Sequence, residues 1–377
     1  MLKRVFFLLP SLQAGGAERV ILTIMQHLDR KQFAPTLVVM QNKGRMAAEY
    51  SSSGIPIIDL NTSGYVPAVC RVIALIRRER PAVLVSSIGP YNAILSPFLF
   101  LCRNTLCIAR ETNIPSRIHS LKIAQGKHLY RVIRRLYRHC YANYAVIIAQ
   151  SNDMRADLIR AYRIPAEKIV RIHNPLDTAV VQYKAAGYAP EAIAAAAAGA
   201  PLQLLTVGRL TYQKGLDMLI PLLARMALPF CLHVVGDGDQ RASLQRLTEA
   251  CGIADSVVFY GFQSNPYPYM KAADVLLLPS RTEGFPNVLL EGLSLGTPVL
   301  ANDCQGGIRE IILPGFNGDV VDLPNCNASM LQQHITTVAA LRQNSAQIRQ
   351  YTQQSYGLEA IIPQYEAVLR QEQMRHE

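Results

Sequence analysis

Two carboxylates, Glu283 and Glu291, stand eight residues apart, with Gly284, Phe285, Pro286 and Asn287 in the stretch between them. The run before them, 274–279, is Asp-Val-Leu-Leu-Leu-Pro and reads as a buried parallel strand closed by a turn signal. Gly284 permits close backbone approach to a ligand. Pro286 suits the first helical turn, where its missing N–H costs nothing. The spacing predicts a helix from near Asn287 that carries Glu291 about one turn in. An extended start plus ~1.5 Å of rise per helical residue sets the carboxylates roughly 10–15 Å apart. That span fits a ligand with a sugar at one end, a ribose at the other and phosphates at the helix N-terminus. A plain helix cap with one solvated glutamate is the alternative.

Cations occupy another strand exit. The run 202–208 leads into Arg-Leu-Thr-Tyr-Gln-Lys-Gly, placing Arg209 and Lys214 on a loop where they can clamp a diphosphate. Gly236-Asp237-Gly238-Asp239 contains an Asp-x-Asp of the kind that holds metals. A glycine-rich turn after the strand 230–235 accounts for it better. Near the N-terminus the strand 5–9, the pair Gly15-Gly16 and an apolar helix over 20–28 form a second place where backbone N–H groups converge on an anion. A tight turn without ligand explains that segment equally well, since neither G-x-G-x-x-G nor a P-loop is spelled there.

Strands must carry these groups. Near-continuous apolar runs at 5–9, 36–40, 57–60, 82–86, 106–110, 144–149 and 169–172 alternate with helical stretches, as do those at 202–208, 230–235, 257–260, 274–278 and 298–302. Such runs indicate doubly wound parallel sheets, whose ligands sit beyond the strand C-termini. At those ends the loops 87–92 and 110–116 stand out, the second containing Glu111 and Asn113. Pro175 stops regular structure and 178–200 is alanine-rich, marking a linker whose alanines form a short helix.

The 377 residues suit two domains with sizeable cores. Eight cysteines, none in a C-x-x-C pair, fit a reducing compartment better than a disulfide framework or zinc site. The apolar N-terminus is a strand's length without a cleavage site, so it reads as a strand and not a signal peptide. Residues 82–102 carry no charge, but polar residues, Gly89, Pro90 and Pro97 favour a strand, a loop and a buried helix over a membrane span. Residues 1–180 hold 25 Lys and Arg against 10 Asp and Glu. That imbalance points to an acidic partner. Arg131, Arg134, Arg135 and Arg138 recur at i, i+3, i+4 and i+7, giving one basic face of an amphipathic helix suited to an anionic membrane. No stacking-aromatic pattern or binding motif supports nucleic acid.

The segments Glu-Gly-Phe-Pro-Asn-Val-Leu-Leu-Glu (283–291), Val-Gly-Arg-Leu-x-x-x-Lys-Gly (207–215), Gly-Gly-x-x-Glu (306–310) and Asn-Pro-Leu-Asp (174–177) resemble glycosyltransferase family 4. The likeness is continuous from about 203 to 322 and patchy before that. It implies the GT-B fold: two doubly wound α/β Rossmann-like domains facing a central cleft, the first (1–177) for acceptor and the second (201–355) for nucleotide sugar. The linker is 178–200, and a C-terminal helix within 356–377 returns to the first domain. By the same resemblance, Glu283, Arg209 and Lys214 act in catalysis. Glu291, Gly284, Phe285, Pro286, Asn287, Gly236, Phe262 and Gly16 bind the donor, and Gly15 lies on the acceptor side; there this chain's own strand-end residues Glu111 and Asn113 are the candidates, with polar residues capping a turn as the alternative. Relatives often place a histidine in the first acceptor loop; this chain has none there. The implied reaction is retaining transfer from a UDP-sugar, without metal or other cofactor. The implied acceptor is a lipid-linked glycan at the inner face of the cytoplasmic membrane. A nucleotide-sugar epimerase and a non-catalytic nucleotide-sugar-binding protein are the alternatives.

Overall fold

Strands buried on both faces need apolar residues on both, which is why near-continuous runs and not alternating ones become strands here. The computed structural model describes residues 2–371 apart from 14, 129, 132–136, 188–192 and 194–199, and not the side chains of 138 and 140. The chain divides into two compact units, Met1–Pro175 with Leu358–Glu377, and Leu176–Gly357.

In the first unit β1 (Lys3–Leu9), β2 (Phe33–Val39), β3 (Ile57–Asp59), β4 (Val83–Ser87), β5 (Leu106–Arg110), β6 (Val146–Ala149) and β7 (Ile169–Arg171) form one parallel sheet. Their order is β3-β2-β1-β4-β5-β6-β7. The second unit holds β8 (Leu202–Val207), β9 (Phe230–Val235), β10 (Val257–Gly261), β11 (Val275–Leu278), β12 (Val299–Asn302) and β13 (Gly318–Val321), ordered β10-β9-β8-β11-β12-β13. Each order reverses once, between β1 and β4 and between β8 and β11. Those switch points are where the exits of neighbouring strands part and leave room for a ligand.

Helices cover both faces of each sheet, giving two core clusters per unit. The C-terminal helix Leu358–Arg370 belongs to the first unit and buries Ile361, Ile362, Tyr365, Val368 and Leu369 against its sheet. In the stretch 178–200, the helix Thr178–Lys184 packs Val181 into the second unit's core, and the alanine run read as a helix falls within 188–192 and 194–199, which lie outside the described residues. The uncharged stretch 82–102 splits into β4, the helix Gly89–Leu95 and the 3-10 turn Ser96–Leu101. Its Gly-Pro pair, read as a loop, instead starts a helix, because proline in the first turn forfeits no hydrogen bond. Among the described residues no helix is long and apolar enough to cross a membrane.

Candidate active site

At the switch point of the second sheet, the loops leaving β8 and β11 meet. Lys214 Nζ donates to Glu283 Oε1 at 2.6 Å, and Ser280 Oγ donates to the same oxygen at 2.7 Å. Little of either charged side chain reaches water, 22% for Lys214 and 9% for Glu283, so their attraction is screened less than a surface pair's. Further bonds stitch the loops together. The backbone N–H of Arg281 donates to the Gln213 carbonyl at 2.8 Å, and Gln213 Nε2 donates to the Thr282 carbonyl at 2.9 Å. Arg281 grips Asp217 through two bonds of 2.7 Å and lies 3.9 Å over the Tyr212 ring. Gly306 closes the third side at φ +130°, where a Cβ would stand 2.0 Å from the Glu283 carbonyl oxygen. Only glycine fits there.

Arg209 is exposed and makes no ion pair or side-chain hydrogen bond among the described residues. With Gly208, Lys214, Leu278 and Pro279 it lines a small open pocket. Gly236, at φ +145°, lets its loop approach so closely that a Cβ would meet the Gly208 carbonyl oxygen at 1.8 Å. Phe262 is partly exposed just beyond β10. Asp237 caps its own turn by accepting from the Gly238 N–H at 2.9 Å. Among the described residues no three His, Cys, Asp or Glu cluster to hold a metal.

The helix Asn287–Ser294 begins where the spacing predicts, with Pro286 as its N-cap and no side-chain cap, so it is an N-terminus of the anion-receiving kind. Glu291 is buried one turn in and accepts from Tyr267 Oη at 3.5 Å. Phe285 packs its ring 5.9 Å from that of Tyr356, in the core. It offers this site a backbone rather than a ring.

In the first unit Gly15 is the N-cap of the helix Gly16–His27. The Glu18 carboxylate lies against Gly15, where a Cβ would stand 2.3 Å from its oxygen. Beyond β5, Glu111 is buried and its carboxylate is engaged: Asn92 Nδ2 donates to Oε1 at 3.1 Å, and Tyr141 Oη donates to the same oxygen. Burial pushes its pKa up to about 7, against the opposing pull of Tyr141, Asn92 and the Arg110 charge. Asn113 is half-buried. Ile88, at the N-cap of the helix Gly89–Leu95, has φ +88°, a strained value for a β-branched residue. Sequence reading singled out the loop 87–92 but gave no role to Asn92, Tyr141 or Ser280, since neutral residues in the helix Gly89–Leu95, the 3-10 turn Tyr137–Tyr141 and the exit of β11 carry no spacing signal. Of the basic helical face, Arg131 is exposed, while Arg134, Arg135 and the Arg138 side chain lie outside the described residues.

Residues 14–180 match the family model described as Glycosyltransferase Family 4, and 191–355 match that described as Glycosyl transferases group 1. A lipopolysaccharide 1,6-galactosyltransferase of Salmonella typhimurium is 34% identical over 186 residues, which is 48% of this chain and 48% of that protein. The chain thus matches about half the length of that relative. The Campylobacter jejuni N-acetylgalactosamine-N,N'-diacetylbacillosaminyl-diphospho-undecaprenol 4-alpha-N-acetylgalactosaminyltransferase is 26% identical over 85% of this chain and 86% of its own. Among solved structures, Anabaena HepE in complex with UDP and glucose has a TM-score of 0.78 at 21% identity, covering 97% of this chain and 99% of that one. Likeness at that identity establishes the fold alone.

Proposed function

Because the chain belongs to glycosyltransferase family 4, we propose that it transfers a hexose or N-acetylhexosamine from a UDP-sugar, with retention, to a membrane-associated saccharide in bacterial surface-polysaccharide synthesis. The observation that carries this is the Lys214–Glu283 contact beside the exposed Arg209. A cation pair, a mostly buried carboxylate and a helix N-terminus sit within adjoining loops, which suits a sugar diphosphate. The bond from the anomeric carbon to the diphosphate oxygen breaks, and the acceptor hydroxyl oxygen joins on the same face. Arg209, Lys214 and the Asn287 helix N-terminus stabilise charge on the departing UDP. The departing phosphate oxygen takes the acceptor's proton. Glu283 and the backbone of Gly284–Asn287 orient the sugar, and Glu291 accepts from the ribose hydroxyls.

UDP is favoured by HepE, whose structure holds UDP and glucose. A lipid-linked acceptor is favoured by the undecaprenol in the Campylobacter relative's name and the lipopolysaccharide in the Salmonella one's. The test is nucleotide release from UDP-Gal, UDP-GalNAc, UDP-Glc, UDP-GlcNAc and GDP-Man with a bacterial membrane-lipid extract. Acceptor-dependent UDP release that Arg209→Ala lowers roughly 10²–10³-fold is the expected result. Conversion of the UDP-sugar with no acceptor present would replace transfer by epimerisation. Donor binding without release across varied acceptors would make the protein a binding module.

A further inference from the structure

A lysine that turns to a diphosphate loosens its grip on a neighbouring carboxylate. Lys214 Nζ donates to Glu283 Oε1 at 2.6 Å, and each bond that this ammonium gives to a phosphate oxygen competes with that contact. Ser280 Oγ donates to the same Oε1 at 2.7 Å. A hydroxyl bonded to a carboxylate makes a short, charge-assisted bond, yet it has no charge of its own for a diphosphate to draw away. Both contacts go to Oε1. Among the described residues Oε2 accepts no hydrogen bond, which leaves that oxygen to a ligand.

Ser280 is itself held from behind. It stands two residues beyond β11 and is fully buried. Its carbonyl accepts from Asn302 Nδ2 at 2.9 Å, and Asn302 Oδ1 accepts in turn from the Leu323 N–H at 3.0 Å. Asn302 is the last residue of β12, which lies between β11 and β13 in the sheet. Its side chain therefore ties Ser280 to rigid strand ends. The Glu283 backbone N–H donates to the Gln305 carbonyl at 3.2 Å, so main chain and carboxylate are fixed separately. Support of this kind is what keeps a functional group within a fraction of an ångström of its working position.

We infer that Ser280 is a positioning residue for sugar transfer. Its hydroxyl keeps Glu283 Oε1 in place while Lys214 turns to the diphosphate, so that Oε2 stays on the hydroxyls of the donor sugar. The inference rests on the transfer reaction proposed above. It divides the work between the two donors to Oε1: Lys214 answers to the diphosphate, and Ser280 answers to the sugar alone. UDP by itself has no sugar for Glu283 to meet. Loss of the Ser280 hydroxyl is therefore felt in transfer and hardly at all in UDP binding. A carboxylate left free to turn loses the alignment that transfer needs, and a displacement of about 1 Å costs up to roughly 10²-fold in rate.

The test compares the full-length wild type with Ser280→Ala and Ser280→Thr, using the UDP-sugar that the wild type turns over. Nucleotide release gives kcat and KM, calorimetry gives the Kd of UDP, and thermal melts check folding. Ser280→Ala should lower kcat roughly 10–100-fold, the worth of one hydrogen bond to a charged group, while the Kd of UDP stays within about threefold of wild type. Ser280→Thr keeps the hydroxyl and should recover most of the rate. A wild-type kcat in Ser280→Ala would overturn the inference and leave the transfer reaction standing. So would a loss of UDP affinity as large as the loss of rate, which would make the hydroxyl a support of the whole donor loop. Ser280→Thr no faster than Ser280→Ala, with UDP affinity intact, would overturn it too. A wild type that releases nucleotide from no donor would overturn the reaction and this inference together.

Discussion

Arg209 and Lys214 carry the same charge but differ in what the free protein asks of them. Arg209 has no side-chain partner among the described residues, whereas Lys214 is held by Glu283 at 2.6 Å. Arg209→Ala should therefore leave stability within about 0.5 kcal/mol of wild type while kcat falls roughly 10²–10³-fold. Denaturant melts beside nucleotide-release rates check this, and a matching loss of stability would make Arg209 a structural residue. Glu111 makes a different prediction. Its folded pKa is raised from 4.5 to about 7. Between those values the folded chain binds more protons than the unfolded one, so this group's contribution to stability falls as pH rises and levels off above 7. Burial sets that value, with Tyr141, Asn92 and the Arg110 charge pulling it down and the Asp157 charge pushing it up. A shift of that size corresponds to about 3 kcal/mol at most. Glu111→Gln should gain stability relative to wild type between pH 5 and pH 8, measured by urea melts. A difference between the two proteins that stays constant with pH would refute a buried titrating carboxyl. Glu111, Glu283 and Lys214 were all legible as strand-end charges. That Lys214 and Glu283 pair was not, because the contact joins residues 69 apart and spacing rules reach only one turn or one strand.

The elements were legible wherever burial imposed a pattern. Apolar runs predicted strands close to β1, β4, β5, β8, β9, β11 and β12, and the helix Asn287–Ser294 starts at the residue its Gly-Phe-Pro lead-in implies. β13 (Gly318–Val321) escaped notice. It has four residues and opens with glycine, and its partner on the inner side is β12, so no run or alternation marks it. Close backbone approaches escaped as well, since a glycine's positive φ is invisible until its neighbour is placed. Gly306 is the case that matters. Alanine there must relieve both a left-handed backbone and a contact with the Glu283 carbonyl, which requires moving the loop that carries Glu283. We expect Gly306→Ala to destabilise by about 1–3 kcal/mol and to weaken UDP binding. Gly315→Ala also has a positive φ (+77°), nearer the left-handed region than Gly306's, and open space around it, so it should cost less stability and leave UDP binding unaffected. Equal UDP affinity in the two variants would mean that the Glu283 loop tolerates the displacement.

At the scale of the molecule, the two units differ in how their chains are assembled. The second is one continuous segment, Leu176–Gly357, containing both of its own core clusters. It also carries Arg209, Lys214, Glu283 and Glu291. The first is completed only by the distant helix Leu358–Arg370. That helix brings five buried side chains and also Tyr365 Oη, which accepts from the buried Arg110 Nε at 3.2 Å. At about 1.5–3 kcal/mol per buried side chain the helix contributes some 8–15 kcal/mol as an upper bound, comparable to a whole domain's stability. Removing it would also strip a partner from a buried guanidinium, whose other bonds go to neutral Asn174 and Ser87. The expected asymmetry is sharp. Residues 176–357 expressed alone should melt cooperatively and bind UDP within roughly tenfold of the full chain, yet transfer no sugar. Residues 1–175 alone should lack a cooperative melt and regain it when 358–377 are supplied in trans. Calorimetry of both fragments, with UDP titrated into the second, decides the matter. A second fragment that folds but does not bind UDP would move essential donor contacts outside the segment, and a first fragment that melts cooperatively by itself would reduce the C-terminal helix to an accessory.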